Sequence, residues 1–478
     1  MKGSSLFERR TKIVCTIGPA SGSAAVIERL VKAGMNVARL NLAHGTYKEH
    51  ARYIQTVRKL SHRLAIPVAI LVDLPGPKYR TGKLKDGQMR LKKGAEVVLT
   101  ARHVRGSNGL IPVNLPTLAQ NTRVGDTVLL DDGAIQLKVL ERQGREIRCR
   151  VVVGGILTER RGLVVPGMRD SGPFVTDILR KHILFAVRQQ PDYLAVSFVS
   201  SADDMITIRI ILHDRGADIP IVAKVERGMA VDEFDGILMA SDGIMVARGD
   251  LGVDIPLERV PLVQKEIIRK CNQAGKPVIT ATQMLESMID APWPTRAEVT
   301  DVANAIFDGT DAVMLSAETS IGKYPAQAVR MMARIAREAE DRLPYDQILS
   351  ERAKWLEQNT SELISYSACH TAQSLKARAL VAFTQSGSTA GRVSKYRPRM
   401  PIVAITPDAS VAKRLVLRWG VYPFQVAGAS TVEELFATGT KLSKELRLTK
   451  GGDLIVITGG IPVGVAGSTN LLKVNRVE

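Results

Sequence analysis

Strong acids and bases recur in this sequence at the ends of short apolar segments. Lys224 and Glu226 end the segment PIVAKVE, and Asp73 stands near the end of VAILVDL. A lysine and a glutamate two residues apart on a buried strand point to the same side. Burying both charges without a purpose would cost several kcal/mol. The pattern therefore indicates a functional site where a fixed ammonium group and carboxylates face each other.

Glu226 and Asp250 end two consecutive apolar segments, and both carry hard oxygen donors. Such a pair suits Mg2+, or Mn2+, with the coordination completed by water and substrate oxygens. Lys224 and Arg39 supply positive charges that can face a phosphate or an enolate oxygen. Acidic metal ligands beside such cations indicate phosphoryl transfer between anionic substrates. A metal-dependent C–C lyase or aldolase would use similar groups, so that alternative stays open at this point.

Eight short apolar segments carry these groups, and helical patterns separate most of them. Nearly continuous hydrophobic runs are expected for parallel strands that are buried on both faces. Strand and helix repeated eight times predict a (β/α)8 TIM barrel, whose reactive groups lie at the carboxyl ends of the strands. Further polar residues at or near those ends are Asn41, His44, Ser197, Arg248, Thr280, Thr282, Ser316 and Glu318.

The barrel pattern is interrupted after its third strand by about a hundred residues rich in glycine and short alternating segments. That composition predicts a small β-barrel domain inserted into the barrel. A separate open α/β domain is predicted after the barrel. The predicted limits are residues 1–76 and 173–345 for the barrel domain, 77–172 for the insert and 346–478 for the C-terminal domain.

The composition is that of a globular protein with a large positive charge. Its 478 residues are 45% hydrophobic and 24% charged, and the net charge is +18. Half of that excess lies between Pro77 and Gly172, where 18 basic residues stand against 9 acidic ones. Such a surface either attracts anionic small molecules or is simply a solvated basic face. Nucleic-acid binding is disfavoured, because aromatic residues make up only 4% and no stacking motif or basic helix stands out.

Several other classes of protein are disfavoured by the sequence. No apolar run approaches the roughly 20 residues of a membrane-spanning helix, and the first residues do not read as a secretion signal. The four cysteines are scattered without a CxxC pair, which predicts buried thiols in a reducing cytoplasm. Without a GxxxxGK[ST] loop, or a GxGxxG motif opening a βαβ unit, P-loop and dinucleotide-binding proteins are disfavoured too.

Six segments, in order along nearly the whole chain, resemble successive motifs of the pyruvate kinase family. They are TKIVCTIGPAS, ARLNLAHG, IPIVAKVERG, SDGIMVARGDLGV, TATQMLESM and PTRAEVTDVANAIFDGTDAVMLSAET. The resemblance implies a barrel domain, an inserted lid and a C-terminal effector domain. It also implies phosphoryl transfer from phosphoenolpyruvate to ADP, giving pyruvate and ATP as the last step of glycolysis, usually in a homotetramer.

The resemblance also implies roles for single residues. Lys224 matches the lysine that stabilises the transferring phosphoryl group and the enolate. Thr282 matches the threonine associated with the proton that completes pyruvate. Arg39 matches a phosphate-binding arginine, and Glu226 and Asp250 match the divalent-metal ligands. Further active-site and substrate contacts implied in this way are Arg80, Asn41, His44, Ser197 and Gly249.

The lid of the family places a lysine against the nucleotide phosphates, and Arg161 takes that position here. The pattern around it is looser than in the barrel. Val164 replaces an asparagine, and the segment MRDSGPFVTDIL departs from the family's hinge. The resemblance therefore implies a nucleotide contact for Arg161 on fewer matching residues than it does for the barrel.

The segment TQSGST in the C-terminal domain resembles the effector loop of the family, which receives the phosphate of a sugar-phosphate or nucleotide activator. It follows a predicted strand and opens a predicted helix, so that hydroxyls and backbone N–H groups meet at a helix N-terminus. A capping turn without a ligand is the alternative. The implied phosphate contacts are Thr384, Ser386, Gly387, Ser388 and Thr389.

The monovalent-cation site departs from that of K+-requiring pyruvate kinases, which use an asparagine, a serine, an aspartate and a threonine carbonyl. Asn41 and Asp73 remain, but Ala43 lacks the serine hydroxyl. Leu74 replaces the threonine, and Lys78 stands where the K+-dependent branch has glutamate. Since an ammonium group can supply the charge of a bound K+, the comparison predicts a K+-independent enzyme. A surface lysine beside a weak K+ site is the alternative.

Overall fold

The structure, a computed structural model, describes residues 7–76, 79–168, 172–465 and 467–478 of the chain. Within them the strands are β1 (Lys12–Thr16), β2 (Val37–Asn41), β3 (Ala69–Leu74), β4 (Gln88–Leu91), β5 (Glu96–Thr100), β6 (Leu110–Pro112), β7 (Thr127–Leu130), β8 (Ile135–Gln143), β9 (Glu146–Val153), β10 (Gly155–Thr158), β11 (Leu163–Val164), β12 (Tyr193–Val196), β13 (Ile221–Val225), β14 (Gly243–Ala247), β15 (Val278–Ala281), β16 (Ala312–Leu315), β17 (Ala379–Phe383), β18 (Ile402–Thr406), β19 (Val421–Gln425), β20 (Leu454–Gly459) and β21 (Leu471–Arg476).

The α-helices are α1 (Ala24–Ala33), α2 (Tyr47–Leu64), α3 (Leu118–Asn121), α4 (Asp177–Gln189), α5 (Ala202–His213), α6 (Gly228–Asp232), α7 (Phe234–Ala240), α8 (Arg248–Asp254), α9 (Val260–Gln273), α10 (Arg296–Phe307), α11 (Ala317–Ser320), α12 (Pro325–Asp341), α13 (Tyr345–Ala353), α14 (Thr360–Ser374), α15 (Ser388–Lys395), α16 (Ala409–Leu415) and α17 (Val432–Glu445). Short 3-10 helices span Leu257–Arg259 and Glu286–Ile289.

Eight parallel strands close into a barrel in the order β1, β2, β3, β12, β13, β14, β15 and β16, and β16 pairs back with β1. Each contains part of one of the eight apolar segments, so the predicted (β/α)8 barrel is confirmed. The strands are almost wholly buried because barrel side chains fill one face and helices cover the other. Polar groups at the carboxyl ends of these strands consequently meet at one rim.

Side-chain caps begin several of the barrel helices and end the loops at that rim. Thr46 after β2, Ser201 after β12 and Thr295 after β15 each accept a hydrogen bond from the backbone N–H three residues on. In each case an acidic side chain at that third position binds back to the cap, which satisfies two helix N–H groups at once. Local sequence thus sets where the rim loops stop and the helices start.

The inside of the barrel is packed with side chains, and the C-terminal domain covers its amino-terminal end. Residues such as Leu71, Met245 and Met314 from the strands form one buried cluster, which Val416 and Leu417 join from the C-terminal domain. That end is consequently closed by protein. Substrates must therefore reach the barrel from the carboxyl end of its strands.

The insert and the C-terminal domain each have a sheet and a core of their own. The insert contains a six-stranded mixed sheet, in the order β11-β7-β8-β9-β5-β6, beside the two-stranded sheet β10-β4. The C-terminal sheet runs β19-β18-β17-β20-β21, with β21 antiparallel. Both predicted domain types are confirmed, whereas the exact domain limits stay predictions. Of the helices described, none is both long and apolar enough to cross a membrane.

Lys12 lies at the closed end of the barrel, where β1 begins, and is 2% exposed. Its Nζ donates to the carbonyl of Val421 in the C-terminal domain, at 2.6 Å. Burial, with the nearby charge of Arg9, lowers the pKa of Lys12 to about 7. In the unfolded chain the lysine returns to an ordinary pKa near 10.5. The unfolded state therefore binds more protons between these two values, and stability rises with pH across that window.

Between pH 7 and pH 9 this lysine is expected to add about 2 kcal/mol to the rise in unfolding free energy. Lys12→Met removes the titrating group. From pH 7 to pH 9, the unfolding free energy of the wild-type protein should therefore rise by that amount more than the unfolding free energy of the variant. Urea unfolding at both pH values measures the difference. Lys32→Met, at an exposed lysine of α1, controls for the loss of a lysine. A difference in unfolding free energy between wild type and Lys12→Met that does not change with pH would contradict the prediction.

Candidate active site

Asp73 is the centre of a buried charged cluster at the open end of the barrel. Arg39 Nε donates to Asp73 Oδ2 at 2.7 Å, and Lys224 Nζ lies 3.3 Å from Asp73 Oδ1. Asp73 is 1% exposed, and Arg39 and Lys224 are each 7% exposed. These residues meet because β2, β3, β12 and β13 are neighbours in the barrel. One carboxylate thus holds two cations side by side, with their polar ends at the rim.

Lys224 is held by three oxygen acceptors. Its Nζ donates to Ser197 Oγ at 2.7 Å and lies 2.8 Å from Glu226 Oε1, in addition to its contact with Asp73. Lys224 and Glu226 therefore share one side of the chain, as their two-residue spacing indicates. The second oxygen of Glu226 accepts from the backbone N–H of Phe198 at 2.7 Å. The three acceptors together fix the position of the ammonium group.

The charges of this cluster oppose the effect of burial on protonation. Burial alone would raise the pKa of Asp73, but Lys224 and Arg39 outweigh it and hold that pKa below its usual value. Burial would likewise lower the pKa of Lys224, yet Asp73 and Glu226 raise it above its usual value. Lys224 consequently stays a cation and Asp73 an anion at neutral pH. The open end of the barrel therefore presents a permanent positive charge at Lys224.

Glu226 shares negative charge with Asp250. Burial raises the pKa of Glu226 although Lys224 opposes this, and the like charges of Asp250 and Asp73 raise it further. A divalent cation would neutralise this excess of negative charge, so the donor set fits a hard metal ion. In the parts of the chain that the structure describes, no three His, Cys, Asp or Glu residues group as a metal site. Two carboxylates would thus need substrate and water oxygens to complete the coordination.

Asp250 is carried by a helix rather than by the strand before it. The apolar segment suggests a strand that ends in Arg248 and Asp250, but β14 stops at Ala247 and both residues belong to the first turn of α8. The turn places Asp250 beside Gly249, whose backbone N–H donates to Thr282 Oγ1 at 2.8 Å. The first turn of α8 therefore carries Asp250 and also contacts the threonine hydroxyl.

An open cleft of about 1040 Å³ runs between the barrel rim and the inserted domain. Gly249, Asp250 and Thr282 line it from the barrel, and Asp132 and Gly133 line it from the insert. Two sides of one cleft are thus supplied by two separately folded units. A change in their relative position would alter access to the rim.

Several residues implied by the resemblance lie outside the buried cluster. Arg80 and Arg161 are exposed on the insert, where Arg80 Nη1 donates to the carbonyl of Arg160 at 3.2 Å and Arg161 Nη1 lies 3.4 Å from Asp131. His44 is exposed, and its backbone carbonyl contacts His50 Nε2 at 2.7 Å. The barrel cluster therefore leaves out His44, and the two arginines of the insert contact groups of their own domain.

The oxygens expected for a monovalent cation are engaged by protein groups. Asn41 Oδ1 accepts from the backbone N–H of Ala43 at 3.1 Å. Both oxygens of Asp73 contact cationic side chains, and the side chain of Leu74 is fully buried. Lys78 lies outside the described residues, as does the 169–171 part of the hinge segment.

The TQSGST loop has the predicted strand–loop–helix arrangement. It follows β17, and α15 begins at Ser388 immediately after Gly387, whose φ of +91° is left-handed. The Gly387 N–H donates to Thr384 Oγ1 at 2.9 Å, and the hydroxyls of Thr389 and Thr469 are 2.9 Å apart. A small cavity of about 80 Å³ adjoins the loop and is lined in part by Thr384, Ser388 and Thr389.

The structure adds contacts that the sequence patterns did not single out. Thr16 Oγ1 accepts from Arg39 Nη1 at 2.9 Å, and because it ends β1 the strand-end rule could have found it. The backbone N–H of Phe198 also binds Glu226, and the sequence cannot indicate this contact because the donor belongs to the main chain. Thr280, expected among the polar rim groups, is instead fully buried within β15 and bonds Thr310 Oγ1 at 3.0 Å. The hydroxyl of Thr280 can be buried in the barrel because the neighbouring hydroxyl of Thr310 accepts its hydrogen bond.

The fold and the rim cluster define a class, that of (β/α)8-barrel enzymes acting on anionic substrates, here with an inserted domain beside the site. Residues 8–329 match the family model for the pyruvate kinase barrel domain, and residues 362–475 match the one for the pyruvate kinase alpha/beta domain. The chain belongs to the pyruvate kinase family and is a phosphotransferase.

Known relatives resemble the chain along its whole length. A pyruvate kinase of Geobacillus stearothermophilus is 48% identical over 475 residues, covering 99% of this chain and 81% of the relative. One from Staphylococcus haemolyticus is 46% identical over 472 residues, covering 98% and 80%. A crystal structure of a pyruvate kinase from Cryptosporidium parvum has a TM-score of 0.94 at 36% identity, covering 99% of this chain and 97% of that one.

Proposed function

We propose that the protein transfers the phosphoryl group of phosphoenolpyruvate to ADP, giving pyruvate and ATP in the last step of glycolysis. The observation that carries this is Lys224, a buried ammonium group held by Asp73, Glu226 and Ser197 at the open end of the barrel. A preorganised cation there can stabilise charge that develops during transfer. Family membership supports the same reaction.

A lactate-dehydrogenase-coupled assay with phosphoenolpyruvate, ADP and either Mg2+ or Mn2+ tests the proposal. We expect pyruvate and ATP to form in equal amounts. A metal-dependent C–C lyase on the same barrel would form no ATP from these substrates. Inactivity of the folded protein with both metals would therefore refute the proposed reaction.

We assign the chemical steps to three barrel residues. Arg39 and Lys224 would face the oxygens of the transferring phosphoryl group, and Lys224 would also stabilise the enolate left when the phosphorus–oxygen bond breaks. Thr282 would deliver a proton to the methylene carbon of that enolate, which completes the methyl group of pyruvate. The hydroxyl regains its proton from solvent, so atoms and charges balance.

Glu226 and Asp250 would hold the divalent cation, Mg2+ or Mn2+. When bound, the metal neutralises negative charge on the substrate oxygens. The two carboxylates are carried by different elements, since Glu226 follows β13 and Asp250 lies on α8. The relative position of these elements would therefore set the position of the ion.

The remaining predicted contacts concern the substrates and the lid. We propose that the insert, residues 77–172, closes over the nucleotide, which brings Arg161 to its phosphates. The cleft between insert and barrel supports such a movement. Arg80 is proposed as a further catalytic arginine of the active site. The proposed contacts on the barrel side are Asn41, His44, Ser197 and Gly249.

We further propose that the enzyme works without K+. The oxygens of Asn41 and Asp73 already contact protein donors, and Ala43 offers no side-chain oxygen. Lys78 would supply the missing charge. Adding KCl to potassium-free and sodium-free assay buffer, at constant ionic strength, is expected to change the rate less than two-fold. A large rise in rate on addition of KCl would refute the proposed independence of K+.

The C-terminal domain is proposed to bind a phosphorylated activator at Thr384, Ser386, Gly387, Ser388 and Thr389. The helix N-terminus and the adjoining cavity support this. Glucose 6-phosphate and AMP serve as probes, and a rate that neither probe changes at low phosphoenolpyruvate would count against it.

A homotetramer is expected, and light scattering would measure it. The free cysteines, all four buried, support a reducing cytoplasm.

A further inference from the structure

The loop that carries Thr282 has an unfavourable backbone conformation. Thr282 has a φ of +66° and Gln283 a φ of +53°, so two successive residues with side chains are left-handed. A β-branched residue rarely adopts such an angle. Conformations of this kind persist only where the surrounding structure imposes them, and they are common at active sites. Some group must therefore hold this loop in place.

Arg248 is that group. Its Nη2 donates to the carbonyl of Thr282 at 2.7 Å and to that of Gln283 at 3.0 Å, and its Nε lies 3.3 Å from the carbonyl of Thr282. One planar guanidinium thus binds the carbonyl oxygens of both left-handed residues. A lysine has a single nitrogen and cannot reproduce this geometry.

The opposite edge of the same guanidinium is anchored in the barrel wall. Arg248 Nη1 lies 2.7 Å from a carboxylate oxygen of Asp301 on α10 and 3.4 Å from Gln264 Oε1 on α9. Arg248 is 9% exposed. All three guanidinium nitrogens therefore bind protein acceptors, although the residue borders the substrate cleft. Arg248 therefore links the loop to the barrel wall and is not arranged as a substrate-binding cation.

The same helix also fixes the threonine hydroxyl. Gly249, next to Arg248, donates its N–H to Thr282 Oγ1, and that hydroxyl donates to the carbonyl of Ala281 at 2.6 Å. A Cβ at residue 249 would lie 3.4 Å from Thr282 Oγ1, so the two elements approach closely. The first turn of α8 thus holds the backbone of Thr282 through Arg248 and its side chain through Gly249.

We propose that Arg248 is a positioning residue for proton delivery, which holds the Thr282 hydroxyl in place without touching the substrate. This rests on the role proposed above for Thr282. In that step the methylene carbon of the enolate gains a proton, the hydroxyl oxygen gives one up, and solvent restores it. Phosphoryl transfer precedes this step and depends on Lys224 and Arg39, so the two halves of the reaction can be measured separately.

Arg248→Lys in the full-length enzyme tests the proposal. We expect kcat to fall about 10- to 100-fold, because small displacements of a reacting group have effects of that size. Exchange of the pyruvate methyl protons with deuterated water, followed by NMR with MgCl2 and ATP present, should fall by a similar factor. The solvent isotope effect on kcat should rise as proton delivery becomes limiting. KM for phosphoenolpyruvate and half-saturation by Mg2+ should each stay within about two-fold.

Two further variants keep the test decisive. Asp301→Asn weakens the anchor of Arg248 without touching the loop, and should give the same signature with a smaller loss. Thermal unfolding shows whether each variant is folded. If Arg248→Lys raises KM for phosphoenolpyruvate more than ten-fold and leaves methyl exchange intact, Arg248 binds substrate and the proposal is wrong. A similar shift in the Mg2+ requirement alone would mean that it acts through Asp250, which also overturns the proposal.

Thr282→Ala separates this inference from the role proposed for the threonine. If Thr282→Ala keeps full methyl exchange, the proposed proton step fails, and the inference about Arg248 fails with it. If Thr282→Ala loses exchange while Arg248→Lys keeps it, only the positioning role fails. The double variant is expected to be no slower in exchange than Thr282→Ala alone, since both changes act on one step.

Discussion

Lys224→Met is expected to lower kcat by about 1000-fold, since one preorganised charge is removed from the site of phosphoryl transfer. Methionine keeps much of the length of the side chain but none of its charge. Asp73 then retains Arg39 as its cationic partner, while Glu226 loses the contact at 2.8 Å. The coupled assay with saturating phosphoenolpyruvate, ADP and Mg2+ measures the loss directly.

Lys12→Met is the matched control for this experiment. It makes the same substitution at another buried lysine, which lies at the closed end of the barrel and bonds the C-terminal domain. Its kcat should stay within about three-fold of wild type at neutral pH, because the contact of Lys12 is with the C-terminal domain, at the end of the barrel opposite to the rim that carries Lys224. Activity of folded Lys224→Met within ten-fold of wild type would rule out the role proposed for Lys224.

Arg397→Met is expected to lower the unfolding free energy by about 3 kcal/mol, as loss of one partner of a buried ion pair commonly does. Arg397 is 4% exposed and joins the C-terminal domain to the barrel. Its Nη1 lies 2.8 Å from Asp311, and its Nη2 donates to Asn272 Oδ1 at 2.8 Å and to the carbonyl of Gly309 at 2.7 Å. Without the arginine, Asp311 is left as a buried charge.

Urea unfolding followed by tryptophan fluorescence measures this loss, because Trp419 is buried beside Arg397. Arg378→Met is the control, since it removes an arginine that is 64% exposed on the same domain and should change stability by no more than about 0.5 kcal/mol. Adding Asp311→Asn to Arg397→Met should recover part of the loss by removing the orphaned charge. Equal effects of Arg397→Met and Arg378→Met would contradict the prediction.

Much of the barrel and its rim could be predicted from sequence because the relevant signals are local. An apolar run marks a strand buried on both faces, and the residues that end such runs meet at one rim once the barrel closes. The two-residue spacing of Lys224 and Glu226 likewise predicts that they share a side, and their contact at 2.8 Å agrees. The helix that carries Asp250 has no start signal in the sequence, because Ala247 is its N-cap and makes no side-chain cap hydrogen bond.

The sequence by itself determined the alternation of strands and helices, the inserted and C-terminal domains and the types of charge at the rim. Only the tertiary structure decided how those charges pair. Arg39 with Asp73, Arg248 with Asp301 and Arg397 with Asp311 join residues 34, 53 and 86 positions apart. The tertiary structure likewise brings Arg248 to the carbonyl groups of the left-handed residues Thr282 and Gln283. Periodicity reports the environment of one segment, whereas the partner of a buried charge is set by which segments the closed barrel brings together.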